Sequence, residues 1–483
     1  MHRLLVLLLA AHAAAAGPPL GQQIDRILRE SPAAARAYWG IHVVDARSGR
    51  ALLDKNANRF FTPASNMKLF TTALALQRLG PGYRFLTTVS TDGRDLKLTG
   101  RGDPTLSGRD LPYHKGPDSG DPLKAIEDLA AQVKAAGVRV VEGNVVGDDS
   151  AWPWEPYPDG WSVDDTVGED GAPVSALTVN DNRITVRLRP GARAGTAAIL
   201  SMEPEVPYFF FHNLVGTVAA DLAALPIEIE RGSGSREVVV RGALPAKSAG
   251  YAESIAVDDP ALFAAFALRD ELARLGITVK GRALAAHRFP GQAPWAVREG
   301  TEVVAKRESA PLVESLRVID KISQNLHAEM VLRTVALVRR GDGSRKLALE
   351  EMQEFLRELG IGKDEFRMED GSGLSRLTVV TPEMLTTLLR HMYGSKYREE
   401  WMSLLPAGGE DGTLEHRFSG QPGASRIRAK TGSLSHVAAL SGYAATRSGH
   451  TVAFSVIANN YNAPPSEIRA AIDKIALTVA NLE

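Results

Sequence analysis

The sequence predicts an α+β protein: a cluster of helices packed on an antiparallel sheet, built from both ends of the chain and interrupted by a large inserted α/β region. Three observations carry this. Short β-type runs occur near the start and again near the end, where three follow one another closely. Long segments with helical apolar spacing flank both groups. The middle is richer in Gly, Pro and short strands, and it contains one unit twice.

The first β-type runs are Trp39 to Asp45 and Ala51 to Asp54, separated by the hairpin signal Ser48-Gly49. Before them, Ile24, Ile27 and Leu28 mark a helix over Gln22 to Glu30, stopped by Ser31-Pro32. After them, Thr62-Pro63 reads as a helix start, with Thr as cap and Pro at the first helical position. Leu69, Phe70, Ala73, Leu74 and Leu76 form its buried stripe, and Gly80-Pro81 closes it. Asp121-Pro122 opens a helix ending at Gly137, followed by Val138, Val140 and Gly143. Asp259-Pro260 opens another ending at Gly276, followed by Ile277, Val279 and Gly281. Two copies are too few for a solenoid, so these are parts of an α/β unit. Helices are then expected over Pro311–Val338, Lys346–Leu359 and Pro382–His391. Strands follow over Arg426–Gly432, Val437–Ala445 and Thr451–Ala458, and a last helix from Pro465 to Leu482.

With 483 residues, 44% of them hydrophobic, the chain can bury more than one core. A formal net charge of -1 argues against a nucleic-acid binder, which needs a basic surface to neutralise phosphates. There is no cysteine, which excludes disulfides, thiolate catalysis, cysteine-ligated zinc and a lipoprotein anchor. His2 and Arg3 precede an apolar run from Leu4 to Ala10. Small residues then lead to Ala11-His12-Ala13 or Ala14-Ala15-Ala16 as a cleavage site. This predicts a signal peptide over residues 1–16 and export. The run is too short to span a bilayer, and no integral membrane span is expected elsewhere.

Three motifs carry chemistry. Ser65-Asn66-Met67-Lys68 places a hydroxyl and an amine one helical turn apart, at a helix start where unpaired N–H groups favour an oxyanion. Serine is a poor nucleophile until a base activates it, and a lysine can be that base if burial lowers its pKa. Alone the pattern is weak, since composition supplies one Ser-x-x-Lys by chance in roughly one chain of this length. Ser323-Gln324-Asn325 falls inside the expected helix from Pro311, where Ser and Asn are indifferent formers. Lys430-Thr431-Gly432 ends a strand-like run, and its glycine suits close approach of another backbone. Individually the last two also read as an exposed polar pair and a hairpin corner. Together and in this order they are the set that acyl transfer near a carboxylate requires.

That ordered set resembles the signature shared by penicillin-binding proteins and serine β-lactamases. Ser65 and Ser323 lie 258 positions apart, and Ser323 and Lys430 lie 107 apart. The first interval demands a large extra module, which is similar to the DD-carboxypeptidase/endopeptidase family of low-molecular-mass penicillin-binding proteins (peptidase family S13, penicillin-binding protein 4 type). Further similar stretches are Phe61 to Lys68, Gly100 to Leu106, Gly143 to Asp148, Ala176 to Asn182, Lys321 to Glu329, Asp370 to Arg376, and Leu405-Pro406 through Leu414. Gln324 stands where Asp is usual.

The resemblance implies a penicillin-binding/β-lactamase-like transpeptidase fold. Its catalytic domain would occupy 17–81 and 286–483, with accessory structure inserted over 82–285. It implies Ser65 attacking a D-alanyl peptide carbonyl, Lys68 taking its proton and Ser323 relaying a proton to the leaving amine. Asn325 would bind substrate backbone, Lys430 and Thr431 would hold the terminal carboxylate or shape the field of the site, and Gly432 would join them in binding substrate. The N–H groups of Ser65 and Ser433 would form the oxyanion hole. No metal or organic cofactor is implied. The implied partners are peptidoglycan peptides, and β-lactam antibiotics as covalent inhibitors, in a periplasmic or other extracytoplasmic location. A serine β-lactamase-type hydrolase and a non-catalytic cell-wall-binding protein are the alternatives. The aromatic stretch Trp152, Trp154, Tyr157 and Trp161 admits glycan stacking, but rings packed on their own domain is the preferred reading. His436 is read as a rim residue.

Overall fold

In the computed structural model the described residues are 18–293 and 300–483, so the expected signal segment lies outside them. Both ends of the chain meet in one five-stranded antiparallel sheet. Its order is Ile427–Leu434, Val437–Ala445, Thr451–Asn459, Tyr38–Asp45, Ala51–Lys55. The central strands are buried on both faces, so their side chains alternate between two cores. Ala438, Leu440 and Ala444 join Phe454 and Val456 under the helices Leu20–Glu30 and Pro465–Ala480. Ala439 and Tyr443 join Ala453 and Ile457 on the other side. There they meet the helix Met67–Leu79, which carries Lys68, and the helices Leu312–Lys321, Asn325–Arg340, Arg345–Glu358, Pro382–Tyr393 and Arg398–Leu404. Thr381 caps Pro382–Tyr393 by accepting the Met384 N–H at 3.1 Å.

Two expected helices differ. The helix expected over Pro311–Val338 is broken: it stops at Lys321 and restarts at Asn325. Ser323 sits in the gap at φ +68°, left-handed backbone that ends a right-handed helix. Gln324 caps the second helix by accepting the His327 N–H. Nor does Thr62 cap its helix. Phe61 pairs with Val380 as a bridge and the Thr62 N–H goes to Asn459 Oδ1 at 2.8 Å. A short 3₁₀ turn, Ala64–Asn66, then precedes the α-helix.

The inserted region holds a second five-stranded sheet: Ala283–Arg288, Val145–Pro153, Leu96–Thr99, Leu86–Thr91, Glu302–Glu308. Its last strand lies past residue 285, the expected end of the insertion. The strand at Glu302–Glu308 pairs antiparallel with Leu86–Thr91 and cannot be separated from that sheet. The two echoing units pack directly together. Helices Lys124–Ala135 and Pro260–Arg274 are neighbours, Thr278–Val279 pairs in parallel with Val140–Val141, and Ala283–Arg288 pairs in parallel with Val145–Pro153. The partners are offset by 138 positions as far as Ala286 opposite Asp148, where a register shift then sets Arg288 opposite Pro153, and the Gly281 N–H donates to the Gly143 carbonyl at 2.9 Å. Two three-stranded sheets complete the insertion: Leu225–Arg231, Glu237–Pro245, Phe210–Val218, and Tyr251–Ala256, Arg183–Arg189, Ile199–Glu203. Among the described residues no helix is long and apolar enough to cross a membrane.

Close helix–strand contact in the insertion depends on Gly147, where a Cβ would lie 1.9 Å from the Ala261 carbonyl oxygen. Gly147→Ala is expected to destabilise the protein by about 1–3 kcal/mol. Thermal or urea unfolding checks this.

Candidate active site

The 3₁₀ turn puts Ser65 at the head of the nucleophile helix, and one turn later Lys68 is wholly buried. Ala64, just before, has φ +48°, a sparsely populated conformation for a residue with a Cβ. Gly373 makes room for it: a Cβ there would stand 2.0 Å from the Ala64 carbonyl oxygen. Asn66 ties the turn to the sheet, donating to the Lys430 carbonyl at 2.9 Å and accepting from the Ser441 hydroxyl at 2.6 Å.

Lys68 Nζ has three neighbours within hydrogen-bond range: Ser65 Oγ at 2.8 Å, Asn325 Oδ1 at 2.6 Å and the Ser372 carbonyl at 2.8 Å. Burial holds its pKa down at about 8, against the opposing pull of Asp370, Glu329 and Asp320. The last two neighbours can only accept, because the Asn325 amide is oriented by its Nδ2 donating to the Asp170 carbonyl at 2.9 Å. A neutral amine has two N–H bonds and one lone pair. With both N–H bonds committed to Asn325 and Ser372, the lone pair faces Ser65.

Ser323 accepts from Lys430 Nζ at 2.8 Å, and Lys430 also donates to the Thr431 carbonyl at 3.0 Å. Burial, aided by the Lys68 charge, pushes the Lys430 pKa well down, while Asp320 opposes this. Thr431 Oγ1 lies 2.9 Å from Thr413 Oγ1. Gly432 lets the edge strand close on the nucleophile turn, since a Cβ would come 2.6 Å from the Pro63 carbonyl oxygen. Ser433 follows on the same strand, exposed. Ser65, Lys68, Ser323, Asn325, Lys430, Thr431 and Gly432 thus converge from segments far apart in sequence. His436 is exposed in the next turn, its Nδ1 at 2.7 Å from the Tyr461 carbonyl.

Several groups that build the site were not singled out for a role in the sequence. Glu329 accepts the Gly371 and Ser372 N–H groups at 2.9 and 2.7 Å, setting the carbonyl that Lys68 meets. Asp320 accepts from Thr72 Oγ1 at 3.0 Å, and its other oxygen has no partner. Burial raises the pKa of both carboxyls. The insertion supplies a further brace. Asp181 is buried in a turn where Asn180, Asp181 and Asn182 all have positive φ. It accepts from Arg109 Nε at 2.8 Å and meets His327 Nε2 at 2.8 Å, two residues beyond Asn325. Burial alone would raise its pKa, but Arg109 and His327 more than offset that and hold it well below the carboxylate range. The aromatic stretch packs inward: Trp152 is buried under the Arg333 guanidinium, Trp154 stacks on His287 at 4.4 Å, and Trp161 Nε1 donates to Asp370 at 3.1 Å.

A serine hydroxyl facing a buried amine, beside a second serine–lysine pair on a sheet edge, defines a serine acyl-transfer enzyme of the penicillin-recognising class. A model of the D-Ala-D-Ala carboxypeptidase 3 (S13) family matches residues 20–479. The D-alanyl-D-alanine carboxypeptidase of Actinomadura sp. (strain R39) is 35% identical over 473 residues, which cover 94% of this chain and 83% of that protein. D-alanyl-D-alanine carboxypeptidase DacB of Haemophilus influenzae is 24% identical over 434 residues, covering 88% and 85%. The fold is that of the crystal structure of penicillin binding protein 4 from Haemophilus influenzae, with a TM-score of 0.80 at 24% identity over 95% of this chain and 99% of that one. The chain belongs to the D-Ala-D-Ala carboxypeptidase 3 (S13) family and is a serine-type DD-peptidase.

Asp181→Asn weakens the hold on the helix that carries Asn325. It is expected to slow acylation by a fluorescent penicillin roughly 10–100-fold, the scale of a small misplacement in a catalytic array. Asp149→Asn weakens a different carboxylate–histidine contact, to the half-buried His287 at 2.9 Å, inside the insertion. It should lower the melting temperature while leaving the acylation rate near wild type. Stopped-flow acylation beside thermal unfolding separates the two.

Proposed function

We propose that the chain is exported and hydrolyses the terminal D-alanyl-D-alanine bond of peptidoglycan stem peptides through an acyl-enzyme on Ser65. The observation that carries this is the placement of Lys68, whose amine stands 2.8 Å from Ser65 Oγ with its other two neighbours restricted to accepting. Neutral Lys68 takes the Ser65 proton as Oγ attacks the carbonyl carbon. The backbone N–H groups of Ser65 and Ser433 stabilise the oxyanion, a term worth about 3–4 kcal/mol of barrier per donor in well-studied enzymes. Ser323, hydrogen-bonded to Lys430, gives its proton to the departing D-alanine nitrogen as the C–N bond breaks and receives in return the proton that Lys68 took, which leaves Lys68 neutral again. Asn325 orients the peptide backbone as well as Lys68, and Lys430, Thr431 and Gly432 hold the terminal carboxylate against the edge strand. Water then takes the place of the leaving amine, Lys68 accepts a proton from it as it attacks the ester carbon, and the same proton goes to Ser65 Oγ as the C–O bond breaks. A β-lactam carries the same carboxylate and amide but keeps its leaving group tethered, so it acylates Ser65 and leaves slowly. The relatives named as D-alanyl-D-alanine carboxypeptidases support the choice of bond.

Fluorescent penicillin should label the wild type stoichiometrically and Ser65→Ala not at all. Labelling that persists in the variant would overturn the nucleophile. Mass spectrometry of defined muropeptides should show loss of one terminal alanine.

The protonation of Lys68 sets a pH dependence with a definite sign. The base is the neutral amine, and a pKa of about 8 leaves roughly a tenth of it neutral at pH 7, far more than for an ordinary lysine near 10.4. The acylation rate should therefore climb as pH rises through about 8 and level off above it. Lys68→Arg, which stays protonated, should lose about 10²–10⁴-fold at every pH. A flat profile would rule Lys68 out as the base.

A further inference from the structure

A cavity of about 570 Å³ lies at the opposite end of the nucleophile helix from Ser65. His391, on its wall, lies beside Gln77 in that helix's last turn, and 13 residues of helix put about 20 Å between the two ends. Arg47, Arg390 and Arg398 also line it, with Thr387 and one acid, Glu358. Glu358 is engaged elsewhere, accepting from Arg78 at 2.7 Å. Asp45, close by in the hairpin, is taken up by the Ser48 N–H at 2.6 Å and the Ser48 hydroxyl at 2.8 Å. Among the described residues none of the three guanidiniums has a carboxylate partner, and Arg390 Nε is buried with no hydrogen-bond partner.

Two of these cations are held in place. The Arg398 guanidinium lies 3.8 Å from the centre of the Tyr393 ring, a cation–π contact. Arg390 packs under the turn at Gly49, where a Cβ would stand 2.3 Å from its guanidinium carbon. Its position in the last turn of Pro382–Tyr393 lets it answer the helix dipole, but that end carries only about half a negative charge against three full positive ones. Unpaired, fixed guanidiniums around one space leave positive charge and N–H donors without acceptors. Guanidinium forks match the oxygens of a phosphate.

We propose that this cavity binds a phosphate group, either free or as a lipid headgroup, at a site separate from the peptidase centre. Calorimetric titration of the full chain with inorganic phosphate, in about 0.15 M NaCl to screen loose attraction, should give saturable binding. Arg390→Gln and Arg398→Gln should each weaken it at least tenfold with circular dichroism unchanged. Arg398 is exposed, so its variant keeps the test open if Arg390→Gln does not fold. Co-sedimentation with phosphatidylglycerol vesicles, against phosphatidylcholine controls, identifies the source. Retention lost in the variants assigns a headgroup, and phosphate binding without retention assigns the free ion. Neither phosphate binding nor retention by the wild type, or affinity unchanged in the variants, overturns the proposal.

Discussion

The buried amine of Lys68 is the constraint around which the catalytic domain is arranged. A lysine wholly out of water would ordinarily demand a carboxylate in contact, and such a partner would fix the charge on it. Here the atoms in contact are neutral: a hydroxyl, an amide oxygen and a backbone carbonyl. The carboxylates Asp320, Glu329 and Asp370 act on the amine electrostatically without touching it. They are subject to the same low dielectric, which raises the pKa of Asp320 and Glu329 while it lowers those of Lys68 and Lys430. The result is a pocket in which lysines and acids are both pushed toward neutrality, so that moving a proton costs less than it would in a fully ionised network.

Keeping that geometry requires unfavourable backbone at two places, and each is braced by distant chain. Ala64 at φ +48° is accommodated by Gly373, and Ser323 at φ +68° lies between two helices that would otherwise run together. The loop at Ser323 is held from the inserted side. Asp170 receives the Asn325 amide, and Asp181 meets His327 while paired with Arg109. Below them Trp152 packs with Leu326 and Met330 under the Arg333 guanidinium. The insertion therefore reaches Asn325 and His327 by direct hydrogen bonds.

The legible part of the site was the part written locally. Ser65 and Lys68 face each other because three residues make one helical turn, and the order of the three motifs narrowed the class before any contact was known. The echoing units were legible for a similar reason: Asp-Pro and Gly recur at matching spacing, and the structure pairs them residue for residue. The rest of the site comes from far away in the chain. The Ser372 carbonyl is 304 positions from Lys68, and nothing in Asp370 to Gly373 announces that its backbone will meet the buried amine. The break at Ser323 was hidden because apolar periodicity runs on through Leu316, Ile319, Leu326 and Met330. Thr62-Pro63 carried the usual marks of a helix start, but the bridge from Phe61 to Val380 drew Thr62 into extended structure.

The long interval between the first two motifs has a simple mechanical basis. The chain leaves the catalytic domain along Leu86–Thr91 and returns along Glu302–Glu308, which are hydrogen-bonded neighbours with Leu86 opposite Glu308. At the base of that pair the Phe85 N–H donates to Ser309 Oγ at 2.9 Å, the Ser309 N–H to the Phe85 carbonyl at 3.0 Å, and the Leu312 N–H to the Tyr83 carbonyl at 2.7 Å. Two antiparallel strands that enter and leave side by side close the gap as a hairpin would. The helix ending at Leu79 and the helix beginning at Leu312 can then pack as consecutive elements, whatever lies between them. Ser65 and Ser323 are remote in sequence yet close in the fold, because the chain enters and leaves the inserted module through one strand pair.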